Sequence, residues 1–221
     1  YGYDEFYIEE KRHPNRYDLD RATATHPVRL DHRTGHATVI NTLALSLLGI
    51  GQQTPDPVDG VVERDEVSRV PTGLLFEMSK YLQQLRQQGP RGDELTRGIR
   101  QANALLLSKG ITSIQDATPA NDLSRWQVIK RLKEDSHLTP RVSMMVGSSS
   151  LNSFLEEGQV PGTGNASIAL GAVKVVLSLT TGSLLPCTEE LSQLVSQVHL
   201  GGFQIAIHAV EQDAVEAAAD A

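Results

Sequence analysis

The run Gly171-Ala-Val-Lys-Val-Val-Leu177 sets a lysine among apolar residues. Its length and β-branched content predict a strand buried on both faces, the kind found in parallel sheets. Lysine is rarely buried without a partner or a chemical task, so Lys174 is the first candidate for function. A second run of the same kind, Phe203-Gln-Ile-Ala-Ile-His-Ala209, carries His208 near its C-terminal end. Between the two, Thr188 caps a helix with Leu191, Leu194, Val195 and Val198 at helical spacing, and Gly201-Gly202 end it. Two apolar strands joined by a helix make a parallel βαβ unit. In (β/α) folds chemistry gathers at the C-terminal ends of such strands, which makes Lys174 and His208 joint candidates for one site.

The same alternation extends toward the N-terminus. Asp93 opens a helix through Leu95, Ile99, Ala102, Leu105 and Leu106, and Gly110 ends it. Ile111-Thr-Ser-Ile114 is a short strand leading to Gln115-Asp116. Asn121 or Asp122 caps a helix through Trp126, Ile129 and Leu132, followed by the strand Arg141-Val-Ser-Met-Met-Val146 and a short helix near Leu151 to Glu157. The glycines of Gly158 to Gly164 lack the strand-to-helix setting of a phosphate loop and predict a flexible connection. The order predicts an α/β fold with a parallel sheet, open or closed into a barrel. Before Gly92 the chain is less regular: turn-rich segments surround a helix predicted from Thr38 to Leu48, and a hairpin pairs Val61–Glu63 with Gly73–Phe76.

Composition narrows the classes. The chain has 221 residues and a net charge of −7, without the clustered Lys and Arg that nucleic-acid binding needs. A single cysteine, Cys187, excludes an internal disulfide and a Cys-based zinc knuckle. No apolar stretch approaches a membrane span and no signal peptide is seen at the N-terminus, so the expectation is a soluble protein, cytoplasmic rather than secreted. The chain opens at Tyr1 without methionine and stops at Ala221 inside a helix-forming run, so a piece of a longer protein is expected.

The succession Leu19-Asp20, His26-Pro-Val28, Arg33-Thr-Gly-His36, Asn41-Thr-Leu-Ala44, Glu63-Arg-Asp65, Pro71-Thr-Gly73, Gly110-Ile-Thr-Ser-Ile-Gln-Asp116, Val173-Lys174 and Ile207-His208-Ala209 resembles the amidohydrolase family 3 branch of the metal-dependent amidohydrolases, nearest the YtcJ-like hydrolases. The resemblance implies a (β/α)8 TIM barrel holding one or two divalent metals, usually zinc, that activate water to hydrolyse an amide or related C–N bond of a small-molecule substrate. Residues 93–221 would supply about strands two to five of that barrel. Residues 1–92 would be an irregular α+β insertion between strands one and two, on the N-terminal side. Lys174 matches the family's fourth-strand metal ligand, often a carboxylated lysine, and His208 its fifth-strand histidine.

The departures matter too. The chain holds no His-x-His pair, and it ends before a sixth-strand histidine or the eighth-strand general-base aspartate. A catalytic zinc needs three protein donors, so the isolated chain is expected to hold little or no metal and to be inactive. Exposed barrel edges predict association with another copy, as a homo-oligomer, or with irregular segments. His36 and Asp116 are read as substrate contacts, Asp116 equally as a cap for the loop that follows it. His32 and His36 have a spacing that suggests metal, although loop structure or substrate contact fits their place in the insertion better. Lys174 also reads as a sheet-edge gatekeeper and His208 as a core histidine. Two other functions fit a strand lysine in such a fold: a Schiff-base lyase, or a non-catalytic α/β binding module.

Overall fold

The computed structural model describes residues 2–78, 81–82 and 92–221. Tyr1 and residues 79–80 and 83–91 lie outside that set. The chain divides into two compact units, Tyr1–Gly89 with Thr180–Ser183, and Pro90–Leu179 with Leu184–Ala221.

In the first unit, helix α1 (Arg16–Ala22) starts with a reciprocal cap. The Asn15 side chain accepts the amides of Tyr17 and Asp18, and the Asp18 carboxylate accepts the Asn15 amide at 2.8 Å. Strands β1 (Arg29–Asp31) and β2 (Ala37–Ile40) follow, then helix α2 (Thr42–Leu47). The helix predicted from Thr38 is therefore corrected. Thr38, Val39 and Ile40 are β-branched and take the strand, and the helix waits for its cap at Asn41. Asn41 is fully buried. It accepts the amides of Val28 and Ala44 and donates to the carbonyls of Thr23 and His26.

Strands β3 (Val61–Arg64) and β4 (Pro71–Phe76) form the expected hairpin, with Val61 opposite Phe76. The sheet order is β1-β2-β4-β3, antiparallel throughout. Both of its faces are packed. Ile40, Val62 and Leu75 meet Ala44, Leu45 and Ile50 in one cluster, while Ala37, Val39 and Leu74 meet Tyr3, Leu19 and Phe76 in another.

The second unit alternates as the sequence predicts. Helix α3 (Asp93–Ser108) leads to β5 (Ser113–Asp116), and α4 (Leu123–Glu134), capped by Asp122, leads to β6 (Arg141–Gly147). A 3-10 turn and α5 (Leu151–Glu156) precede β7 (Gly164–Asn165) and the long strand β8 (Ile168–Val176). Helix α6 (Thr188–Leu200), β9 (Ile205–His208) and α7 (Gln212–Asp220) complete it. The cap of α6 is Cys187 rather than Thr188, and the Cys187 amide donates to the Glu190 carboxylate at 3.0 Å.

Strands β5, β6, β8 and β9 pair in chain order and in parallel. The glycine-rich connection is more ordered than predicted, because β7 folds back antiparallel on β8, with Gly164 opposite Ala169. Helices cover one face of the sheet: Ile114, Val142, Met144, Val146, Ile168, Leu170 and Val173 pack on Trp126, Leu151, Phe154, Val198 and Phe203. Val175 and Leu177 continue that face against Leu191 and Ala214. On the other face, Ser143, Met145, Gly171, Lys174 and Val176 are only partly buried. The expectation that the Lys174 strand is buried on both faces is thus corrected. Among the described residues no helix is long and apolar enough to cross a membrane.

Candidate active-site face

Lys174 reaches the partly open face through a fault in the sheet. Leu170 pairs with Met144, but the next partners are Val173 and Val146, so β8 carries one more residue than β6 across Gly171-Ala172. This bulge inverts the strand's phase. Before it Ile168 and Leu170 are buried against the helices, and after it Val173, Val175 and Leu177 are. Without the extra residue, Lys174 would take the inward phase that Val173 and Val175 hold. Burying an ammonium ion costs several kcal/mol, whereas each valine gains roughly 1.5–3 kcal/mol by going inside. The bulge therefore places valines in the core and the amine outside it.

Glycine at 171 suits the same spot. A Cβ there would meet Ser143 Oγ at 2.8 Å and approach Gln115 Nε2 at 3.9 Å. Ser143 and Gln115, partners across β5 and β6, thus flank the bulge.

His208 is the last residue of β9 and pairs with Val176, while Lys174 pairs with Ala206. Ile205 and Ile207 face the helices, so Ala206 and His208 share the Lys174 face. Lys174 and His208 are consequently diagonal neighbours at the C-terminal ends of adjacent parallel strands. Among the described residues no carboxylate forms an ion pair with Lys174. Opposite Lys174 on β6 stands Gly147, whose amide donates to Asn121 O at 2.9 Å. A Cβ on Gly147 would lie 2.3 Å from Pro119 O, so this close approach admits only glycine.

The other candidates have partners of their own. Asp116 accepts the Thr118 amide at 2.9 Å, the loop-capping part of its expected role. It shares the strand phase of Ile114, which packs toward the helices. His36 belongs to the first unit, where its Nδ1 lies 2.6 Å from Glu77 Oε1. The His32 ring faces a different carboxylate, with Nε2 2.9 Å from Glu5 Oε2, while the Thr34 hydroxyl links His32 Nδ1 and the His36 amide. That Glu5–His32 contact escaped sequence reading, because it is made by chain pairing between Tyr3 and His32.

A family model described as "Amidohydrolase family" (Amidohydro_3) matches residues 1–221. The chain belongs to this amidohydrolase family. Within the amidohydrolases, a stretch of 76 residues is 43% identical to N-substituted formamide deformylase of Arthrobacter pascens, covering 34% of this chain and 14% of that protein. A stretch of 81 residues is 38% identical to the putative amidohydrolase YtcJ of Bacillus subtilis (strain 168), covering 37% and 15%. In fold, 99% of the chain superposes on 46% of an uncharacterized metal-dependent hydrolase from Pyrococcus horikoshii OT3, with TM-score 0.61 and 22% identity. A counterpart from Pyrococcus furiosus gives TM-score 0.58 at 22% identity over 47% of its chain. The chain spans less than half of these solved chains, and the matched stretches span a still smaller share of the curated relatives.

The amidohydrolase metal can be tested against the residues present. Lys174 and His208 lie on one face of neighbouring strands and suit one ion in type, the histidine as it stands and the lysine once its amine is converted to an anion. They fit as part of a ligand set, since a catalytic zinc takes three protein donors.

Proposed function

We propose that this chain is the part of a metal-dependent amidohydrolase that supplies the fourth- and fifth-strand ligands of a (β/α)8 barrel, Lys174 and His208. The observation that carries this reading is the bulge at Gly171-Ala172, which turns Lys174 onto the His208 face. The four parallel strands in chain order fit strands two to five, and the antiparallel first unit fits the insertion. The reaction is hydrolysis of an amide or related C–N bond in a small molecule. The family and the relative named for formamide deformylation support that class.

Lys174 would act as its carbamate. The ammonium loses one proton, the neutral amine adds to carbon dioxide and a second proton leaves, so a partly buried cation becomes an anion with two oxygen donors. His208 donates a ring nitrogen. When bound, a divalent metal, zinc as the first choice, supplies Lewis acidity to the scissile carbonyl and brings the pKa of water toward neutrality. The Asp116 carboxylate shapes the turn after β5 rather than the reacting atoms, and His36, with Nδ1 held by Glu77, is the first unit's substrate-contact candidate. The outer edges of β5 and β9 favour self-association of the isolated chain.

The test uses the full-length parent enzyme. Lys174→Ala should lower kcat/KM by more than the roughly 100-fold that loss of an outer hydrogen-bond partner can cost, and should reduce metal content. Short carboxylic acids in solution should restore part of both. Near-normal turnover and metal in Lys174→Ala, or trapping of a substrate carbonyl on Lys174 by borohydride, would overturn the reading.

A further inference from the structure

The open face of the parallel sheet lacks the residues that usually fill such a face. Ser113, Gln115, Ser143, Ala169, Gly171 and Ala206 share it with Lys174 and His208. Val176 is the one branched aliphatic residue in that phase of the four strands. The inside of a (β/α) barrel is packed mainly with Val, Ile and Leu. Small and polar side chains in their place leave room for something that forms hydrogen bonds.

Gly171 marks where that room lies. Glycine weakens the interior of a strand, and it occurs there for a bulge, a bend, or the close approach of another backbone or a ligand. A bulge that requires glycine holds it in the left-handed region, and Gly171 is not among the glycines with positive φ. Backbone crowding does not require it either. The nearest backbone atom to an added Cβ would be Met144 O at 3.7 Å, an ordinary contact. At Gly147 and Gly164, by contrast, the carbonyl oxygens of Pro119 and Ile168 occupy the room that a Cβ needs. The one tight approach at Gly171 is to Ser143 Oγ at 2.8 Å, the end of a side chain that can turn to another rotamer. Of the reasons for glycine in a strand, a ligand is the one that remains.

The walls of the recess indicate what it takes. Besides Ser143 Oγ, Gln115 Nε2 lies 3.9 Å from the Cβ position. Among the described residues neither side chain has a hydrogen-bond partner. A hydroxyl and an amide NH2 can both donate, so together they suit an acceptor oxygen. Neither is charged, and the cations in this phase stand apart, Arg141 at the start of β6 and Lys174 beyond the bulge. Lys174 pairs three residues past Met144, and Gly171 is one residue past Met144's partner Leu170. Two residue spacings, about 6.6 Å, therefore separate Gly171 from Lys174 along the sheet. Roughly five bonds of extended chain cover that distance.

We propose that Gly171, Ser143 and Gln115 form a recess for the far end of a short acyl chain that carries a neutral oxygen, and that Gly171 sets how large that end can be. The hydrolase reading supplies the name of the ligand, since in an amide the acyl chain is joined to the carbonyl beside Lys174. The recess itself rests on the strand geometry.

The test compares formyl, butanoyl and γ-hydroxybutanoyl amides of one amine as substrates of the full-length parent. The parent should prefer the γ-hydroxybutanoyl amide to the butanoyl amide. Gly171→Ala should lower kcat/KM for the two longer amides by about 10-fold or more relative to the formyl amide, mainly through KM. Gln115→Leu should lower the γ-hydroxybutanoyl amide by about 3- to 10-fold relative to the butanoyl amide. The Tm of Gly171→Ala should equal or exceed that of the parent, because alanine suits a strand better than glycine. Lys174→Ala should instead reduce all three activities together, which separates failure of the hydrolase reading from failure here. Equal losses on all three amides in Gly171→Ala, no preference for the hydroxyl, hydrolysis of the formyl amide alone, or a lowered Tm would each overturn the recess. If the parent hydrolyses none of them, crystals of the parent and of Gly171→Ala soaked in γ-hydroxybutyramide decide. The hydroxyl bound to Ser143 and Gln115 in the parent and absent from the variant supports the proposal; no binding, or equal binding in both, refutes it.

Discussion

The two sheets invert a common pattern. Antiparallel sheets often leave one face to solvent, and parallel sheets are usually covered on both. Here every residue of antiparallel β2 is buried, while parallel β8 alternates between buried and partly exposed residues. The difference teaches where to look for chemistry. A parallel strand that alternates has helices on one side only, so its second face is kept for something other than packing. Lys174 and His208 are on that face.

The comparison breaks most readily at Gly147. Gly147→Ala forces a Cβ against Pro119 O, and overpacking of this severity should cost about 3 kcal/mol or more. For a chain of this size that corresponds to a fall in Tm of roughly 6–12 °C, measured by calorimetry. A Tm unchanged from the parent would show that the loop before α4 yields, and that the parallel sheet is not anchored there.

In the antiparallel unit the matching weak point is Asn41. Asn41→Ala strands the amides of Val28 and Ala44 and the carbonyls of Thr23 and His26. We expect a loss of about 2–3 kcal/mol in urea unfolding. A loss under half of that would mean that water replaces the side chain and that this sheet is less sealed than its burial suggests.

Adjacent valines sharpen the contrast within β8. Val175, 2% exposed, faces the helices, and Val176 faces the other way. Val175→Ala should cost about 1.5–2 kcal/mol and Val176→Ala well under 1. Equal losses would sink the one-faced description.

The smallest effect is pH-dependent. The bond from the Arg12 guanidinium, against the opposing effect of burial and with help from the Asn15 amide and Arg21, holds the Asp18 carboxyl well below the usual range. A carboxylate depressed on folding contributes stability above its unfolded pKa of about 3.9 and loses it as pH falls through the folded value. Asp18→Asn should therefore be less stable than the parent by about 1–2 kcal/mol at pH 7. The gap should close progressively below about pH 4. A gap unaltered at pH 2.5 would rule out this carboxylate as its source.

The sequence made the second unit legible because its helices and strands differ in apolar period and are separated by glycines and caps. Lys174 and His208 stood out for a related reason, being polar residues in apolar runs. Their common face was not legible. Gly171-Ala172 reads as uninterrupted strand, and a bulge is defined only against the partner, β6. Strand β2 was hidden because Thr38-Val-Ile40 runs directly into the apolar residues of α2, with Asn41 as the only mark between them. The Glu5–His32 contact depends on backbone pairing across nearly thirty residues, for which no local pattern exists. Asp116 was half readable: an acid two residues ahead of a threonine amide can close a turn, and it does.

The short strand β7 has a mechanical consequence. Along the edge of β8 away from β6, β7 occupies Ile168 and Ala169 and β9 occupies Val173 to Val176. A strand of four residues has little of its own to fix where it docks, and a slip of four toward the start of β8 would keep its faces, set Ile205 opposite Ala169 and carry His208 about 13 Å along the sheet. Toward the start of β8 that berth is already taken. β7 acts as a doorstop: Gly164 and Asn165 limit how far β9 can travel along that edge.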